Sequence, residues 1–576
     1  MRLRRWGAAL STGRWPIVLD LLLLTGLVWV ARFWHSGGFG LYEDDYTKIP
    51  WAMGMTWGEV WHQVGEYFRT LGDNAKPLHA ALIFLLSFAS AKLGGLQAAY
   101  LLGFLVVAAN CALFYLLLHR LSGRPLALLG GLGFAFFPAD TTQAFLTHDF
   151  GLQWSVMFLL LAFHAYLSRR LALAYGLAFL ILITYETPFP VLLTAPFLGA
   201  RWEASTVRRA VRHTLMLLGL FGLVVLVRLV SGEARVSSLA PLSALRIAVE
   251  HMALGPLAIL GLAVYRPFQT LRSLDLETVL AWFSGFILLF VWLGTLAAPA
   301  RAEPASGIDL SSAVASLVDR ERLSRWLASI PSQVRLLLVG AGMLVLAYPL
   351  TFTLSALEST GRATRVHMAA AAGSCLIFGV LASSGLGRAK LSGRTGWLRA
   401  GLAGLLALYL GFGLVVQRDY LSAWSLQRTF WTDLVRLAPD AGEGTVILVD
   451  PAGLTDVAQI GANTWNLPRI LERIYDFPSS WPAPARVYRL RADWRDKIVT
   501  PAGLFRLDGT TVIAPPSLYG EVPPGNTILM GTTTDGLERG ADRITLQGRT
   551  FSLRPPSTVV LDSLPRGPLY EWMFDR

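Results

Sequence analysis

The sequence has little charge and almost no cysteine. Only 15% of its 576 residues are Asp, Glu, Lys or Arg, against about 25% in soluble domains. That scarcity excludes an ordinary water-soluble chain. The two cysteines, Cys111 and Cys375, stand in apolar segments. They read neither as a disulfide pair nor as a metal site. There is no Walker-type phosphate loop, no Gly-x-Gly-x-x-Gly signature and no Cys-based metal motif, which disfavours a nucleotide-using cytoplasmic enzyme. No solenoid-type repeat is visible. Acids are outnumbered by bases, 38 to 50, giving a net charge of +12. Basic loops on the cytoplasmic side of a membrane explain that balance better than a nucleic-acid partner, which is not expected.

What the sequence does have is long apolar runs. Several approach the roughly 20 residues needed to cross a bilayer. The chain therefore reads as a polytopic α-helical membrane protein. Arg2, Arg4, Arg5 and Arg14 precede the first run, which lacks a clear cleavage site and reads as an uncleaved signal anchor with a cytoplasmic N-terminus. The expected spans are 16–33, 97–118, 124–138, 150–168, 171–186, 188–200, 213–230, 278–297, 334–352, 366–385 and 398–416, eleven in all. The span at 188–200 is short and reads as a broken helix. Trp51, Trp57 and Trp61 suit helices lying on the outer surface, within a first outer loop at 34–96. The run 77–94 either spans or lies on that surface. The second reading keeps His119, Arg120 and Arg124 inside, with Arg169, Arg170, Arg201, Arg208, Arg209 and Arg212. The outer loops at 139–149 and 187 then carry no Lys or Arg, as the positive-inside rule requires. A further surface helix is expected around Leu242–Tyr265.

After the transmembrane domain, 1–416, the composition turns polar. Residues 417–576 read as one extracytoplasmic α/β domain. Strands are expected at Thr445–Val449, Thr511–Ala514, Thr527–Met530 and Thr558–Leu561. Helices are expected at Tyr420–Leu437 and Leu467–Tyr475.

The sharpest concentration of charge beside the membrane is Glu43-Asp44-Asp45, about ten residues past the first span. Such carboxylates can serve as a general base or hold a divalent cation, Mg or Mn, through oxygen. No cofactor is otherwise required. His148-Asp149 and Glu186 stand at the mouths of later spans and join Glu43 as candidates for the acceptor or metal side. Intramembrane arginines mark function or buried ion pairs. Arg228 lies near the outer end of its run, with Arg235 just beyond; Arg362, Arg365 and His367 fall in a short outer loop. Misplaced positive charge of this kind suits a phosphate or diphosphate, to which Lys76 and His79 add candidate contacts.

The first span followed by Glu43-Asp44-Asp45-Tyr46 resembles the GT-C superfamily of glycosyltransferases. The similarity is to the branch holding protein O-mannosyltransferases, aminoarabinose transferases and bacterial lipopolysaccharide sugar transferases. Lys76-Pro77-Leu78-His79 looks like a variant of that branch's Pro-Pro-Leu segment, with one proline kept. Gly94-Gly95, His119–Arg124 and Pro138 through His148-Asp149 follow in the branch's order. The resemblance implies a plasma (inner) membrane enzyme that takes a sugar from a polyprenyl-phosphate donor. The acceptor would be an envelope glycan, lipid or protein. It also implies that Asp44 or Asp45 is catalytic and that Asp149 helps form the site. A non-catalytic scaffold of the same architecture and a lipid-linked glycan transporter are the competing readings.

Overall fold

The computed structural model describes residues 15–71, 75–199, 201–231, 240–296, 320–352, 355–450, 467–533 and 536–574. The basic N-terminus and Arg235 lie outside these residues. Among the described residues, eight helical runs are long and apolar enough to cross a membrane. Seven fall on expected spans. The first is α1, Trp15–Val28, continued by a π turn at Trp29–Phe33. The first loop then folds into α2, Asp45–Gly54, and α3, Trp57–Thr70. Helix α3 opens on a capping box between Thr56 and Glu59, and leaves Trp57 and Trp61 exposed.

Next come α4, Pro77–Leu93, and α5, Leu96–Ser122, joined by Gly94-Gly95. Both ends of α4 meet the same end of the bundle. Lys76 pairs with Glu186, and just past the turn Gln97 donates to the carbonyl of Gly37. Helix α4 therefore lies across that end, and α5 then runs away from it.

The helices α6, Arg124–Ala135, α7, Gln153–Leu167, and α8, Leu171–Thr184, follow. Four expected spans are short, the one at 124–138 giving only the 12 residues of α6. Helix α8 has 14 residues, about 21 Å at 1.5 Å per residue. The segment Phe189–Leu198 is a 3₁₀ helix, consistent with Pro188, Pro190 and Pro196, each lacking an N–H donor. The expected 334–352 span contributes only Ser332–Leu346 as α-helix.

Helices α9, Ala204–Val230, α10, Pro241–Arg272, and α11, Leu276–Gly294, present broad apolar faces outward. The eighth long run is α10, which extends past the expected surface helix to 32 residues. Its contacts run from the loop at 351–359, where His251 bonds Thr351 and Arg266 the carbonyl of Ser359, to the middle of the last expected span, where Thr270 donates to the carbonyl of Leu408 and Tyr409 to that of Ala263. Helices α12, Arg320–Ser329, and α13, Ser332–Leu346, lead to a 3₁₀ segment, Gly361–Ala370, and α14, Ala371–Leu391.

At the opposite end, Asp20 is fully buried on α1. It accepts from Tyr115 Oη, Trp292 Nε1 and twice from Arg124, all at 2.8–2.9 Å. Removing one partner of a buried pair strands the other's charge. Arg124→Ala is expected to destabilise the fold by about 3 kcal/mol, read as a lower Tm of the full chain in detergent.

The last element of the bundle, α15, is a single helix of 43 residues, Thr395–Leu437. It absorbs both the last expected span and the helix expected at Tyr420–Leu437. It leads into a five-stranded sheet. Strand β1, Val446–Val449, pairs in parallel with β2, Arg486–Leu490, and with Thr527–Thr533, β4. The edges β3, Val512–Ile513, and β5, Gly536–Arg539, are antiparallel, which gives the order β3-β2-β1-β4-β5. The expected strand at Thr558–Leu561 does not form. Pro555 and Pro556 precede it, and the N–H groups of Val560 and Leu561 both donate to the carbonyl of Pro439. Helix α16, Leu467–Ile474, packs on β2 and faces α2.

Candidate functional site

The acidic turn sits at the bundle end where α4, the 3₁₀ segment at 361–370 and the C-terminal domain converge. Tyr42 anchors it from inside: its hydroxyl donates to the carbonyl of Tyr420, 2.9 Å away. Glu43 is left-handed at φ +45°, a region that non-glycine residues occupy at a cost and often near functional sites. This twist sends three consecutive carboxylates to different places.

Asp45 turns inward and is fully buried. Its oxygens accept backbone N–H groups from Thr147 at 2.8 Å, Leu146 at 3.2 Å and Tyr42 at 3.3 Å. It staples the first loop to the 141–149 loop. Burial pushes its carboxyl up to about 7, against the pull of those N–H donors. Glu43 and Asp44 share one guanidinium, Arg362, at 3.1 and 3.0 Å. Burial raises the Glu43 carboxyl, more than Arg362 lowers it. Of the three acids, only Asp44 lines the adjoining cavity.

That cavity has a volume of about 780 Å³. Its walls carry Lys48, Lys76, Arg362, Arg365, Arg469 and Arg473, with His79, His148 and Tyr185 between them. One carboxylate thus faces six cationic side chains. Arg365 reaches its guanidinium towards His148 Nε2, 3.5 Å away, while His148 stacks on Phe145. The His79 ring lies against Gly151, where a Cβ would come within 2.1 Å of Nδ1. Only glycine lets α4 approach the His148 turn so closely.

Several expected site residues serve the frame. Lys76 lies over the Tyr185 ring and pairs with Glu186 at 3.1 Å. Burial alone would raise the Glu186 carboxyl, but Lys76 and Arg228 hold it below its ordinary range. Glu186 is thus a counterion behind the cavity wall. Arg228, 3.5 Å from Glu186, also donates to the carbonyls of Leu182 and Ala75 and clamps three segments. Asp149, a candidate for the acceptor or metal side, does not line the cavity with Asp44 but is buried against Gly103 of α5. A Cβ at Gly103 would come within 2.7 Å of its carboxylate. His367 is held between Tyr348 Oη and the carbonyl of Glu358, so both ring nitrogens are engaged.

The acids fit a divalent cation poorly. Asp45 is occupied by N–H donors, Glu43 and Asp44 by Arg362, and the surrounding charge is positive. A hard cation needs several free oxygens. Among the described residues, no cluster of three or more metal-ligating side chains occurs.

Sequence reasoning missed Lys48, Arg469 and Arg473. The two arginines are four residues apart on α16 and so share a face. That spacing was readable, but the return of α16 onto α2 was not. No protein-family model matches this chain, and no curated protein matches it.

Proposed function

We propose that the chain is a membrane glycosyltransferase working at the cavity end of its bundle. Its donor is a polyprenyl-phosphate-linked sugar and its acceptor an envelope glycan, lipid or protein on the outer face. The observation that supports this reading is one half-exposed carboxylate, Asp44, set in a cavity otherwise lined by cations. Guanidinium groups bind phosphate oxygens in bidentate fashion. Arg362 and Arg365 hold the donor phosphate, and Lys76 adds charge beside it. Arriving phosphate competes with Glu43 and Asp44 for Arg362 and frees Asp44.

Asp44 then takes the proton from the acceptor hydroxyl. The acceptor oxygen attacks the anomeric carbon from the face opposite the phosphate. The bond from that carbon to the phosphate oxygen breaks, and the phosphate leaves with the electron pair, giving inversion. The arginines stabilise the charge gathering on it.

Arg365→Ala is expected to weaken binding of a polyprenyl phosphate in nanodiscs by about tenfold to a hundredfold, the worth of one charge-assisted hydrogen bond. Unchanged binding sinks the donor assignment. The 3₁₀ breaks at Phe189–Leu198 and Gly361–Ala370 favour a second reading, a lipid-linked glycan transporter. A transporter would move the lipid-linked glycan without forming a new glycosidic bond.

A further inference from the structure

Beside the cationic cavity lies a second cleft, between α2 and α3 on one side and α16 on the other. Its volume is about 670 Å³. Trp51 and Arg473 line both spaces, with the Arg473 guanidinium 5.9 Å from the centre of the Trp51 ring. The two spaces are thus neighbours divided by one aromatic–guanidinium pair.

The chemistry changes sign across that pair. The cavity is cationic. The cleft is lined by three carboxylates and one guanidinium, Arg473; of the acids, Glu59 closes the α3 capping box through one oxygen, Glu472 stands 3.7 Å from Arg486, and Asp476 completes the set. An indole face with carboxylates around it suits a polyhydroxylated ring: the carbons of a sugar lie on the indole and its hydroxyls donate to the acids. The same charge repels a phosphorylated ligand and favours one that is neutral or carries an ammonium group.

We propose that this cleft receives the acceptor, and that the acceptor is a neutral or amino-bearing sugar chain. Its reactive hydroxyl passes the Trp51–Arg473 pair to reach Asp44. This rests on the transferase reading given above, and it adds the acceptor's place and chemical class.

Gly58 allows a clean test. It lines the cleft on α3, in ordinary helical backbone, and a Cβ there meets nothing within 4 Å. Gly58→Phe therefore fills the cleft without pressing on the fold. The full chain in nanodiscs is titrated with a glucosamine trimer and, separately, with a polyprenyl phosphate. Gly58→Phe is expected to weaken trimer binding at least tenfold and to leave polyprenyl phosphate binding within twofold. Glu472→Gln, which changes charge and hardly any volume, is expected to weaken the trimer several-fold. Equal trimer binding by the native chain and Gly58→Phe, or no trimer binding by the native chain, overturns the proposal. Loss of both ligands in Gly58→Phe overturns it too, because the cleft would not then be separate from the cavity. Trimer binding that depends on Gly58, in a chain that ignores polyprenyl phosphate, supports the cleft and sinks the donor reading instead.

Discussion

On the proposed transferase reading, Asp44→Asn is expected to lower sugar transfer by about two to four orders of magnitude, the usual worth of a positioned general base, and to leave the melting temperature unchanged. The geometry separates the two outcomes. Asp44 is the only member of the acidic turn that lines the cavity. Its side chain is 37% exposed and its ion pair with Arg362 is duplicated by Glu43. Exposed pairs of that kind contribute about 0–1 kcal/mol. An amide of the same shape keeps the packing and cannot accept the proton. The assay measures transfer from a lipid-linked sugar to envelope acceptors by the purified full chain, beside a thermal melt. A fully active Asp44→Asn chain removes the base from the mechanism.

The neighbouring substitution has the opposite signature. Asp45→Ala destabilises the fold by about 3 kcal/mol, because three backbone N–H groups lose their acceptor out of reach of water. A melt of the full chain in detergent reads this as a lower Tm, and a Tm equal to the native value refutes it. The carboxyl also makes stability depend on pH. Its pKa in the folded state lies near 7, well above that of an exposed aspartate. The folded chain therefore prefers the protonated form. That contribution is complete below about pH 4 and is lost as pH rises through about 7, worth on the order of 4 kcal/mol. The native Tm should fall relative to Asp45→Asn between those limits, and parallel curves would show that Asp45 does not titrate there. A double Asp44→Asn, Asp45→Asn variant would mix the loss of the proposed base with a structural effect, although the adjacency of the two acids suggested treating them together.

That adjacency marks the limit of what the sequence makes legible. Composition and hydropathy reveal a membrane helical protein, and the placement of basic residues favoured reading 77–94 as lying on the surface rather than spanning it. The Trp-rich stretch announced α2 and α3. The acidic turn and Arg362 were both readable as unusual, one for its density of charge and the other for its side of the membrane. Arg362 read as a contact for a donor phosphate; its pairing with Glu43 and Asp44 comes from the fold.

What could not be read is direction. Whether Asp44 or Asp45 points into the cavity depends on the left-handed backbone at Glu43, which no local motif signals. Asp149 carries the same chemistry as Asp44, yet the glycine that receives it, Gly103, lies 46 residues earlier on another helix. Arg228 and Glu186 were recognised as costly charges near the apolar core, and they offset each other rather than a ligand. Arg469 and Arg473 stand about fifty residues beyond the last apolar run, and only tertiary folding brings them to the wall.

The unbroken course of α15 gives its length a meaning separate from its composition. An α-helix advances about 100° and 1.5 Å per residue. One residue gained or lost between Arg418 and Gln427 would turn the whole C-terminal domain by that angle and carry Arg469 and Arg473 off the cavity. In this stretch the chain counts as well as spells. Even seven residues, which nearly restore the angle, would slide the domain by about 10 Å along the axis, so the length of this stretch is held in both rotation and rise.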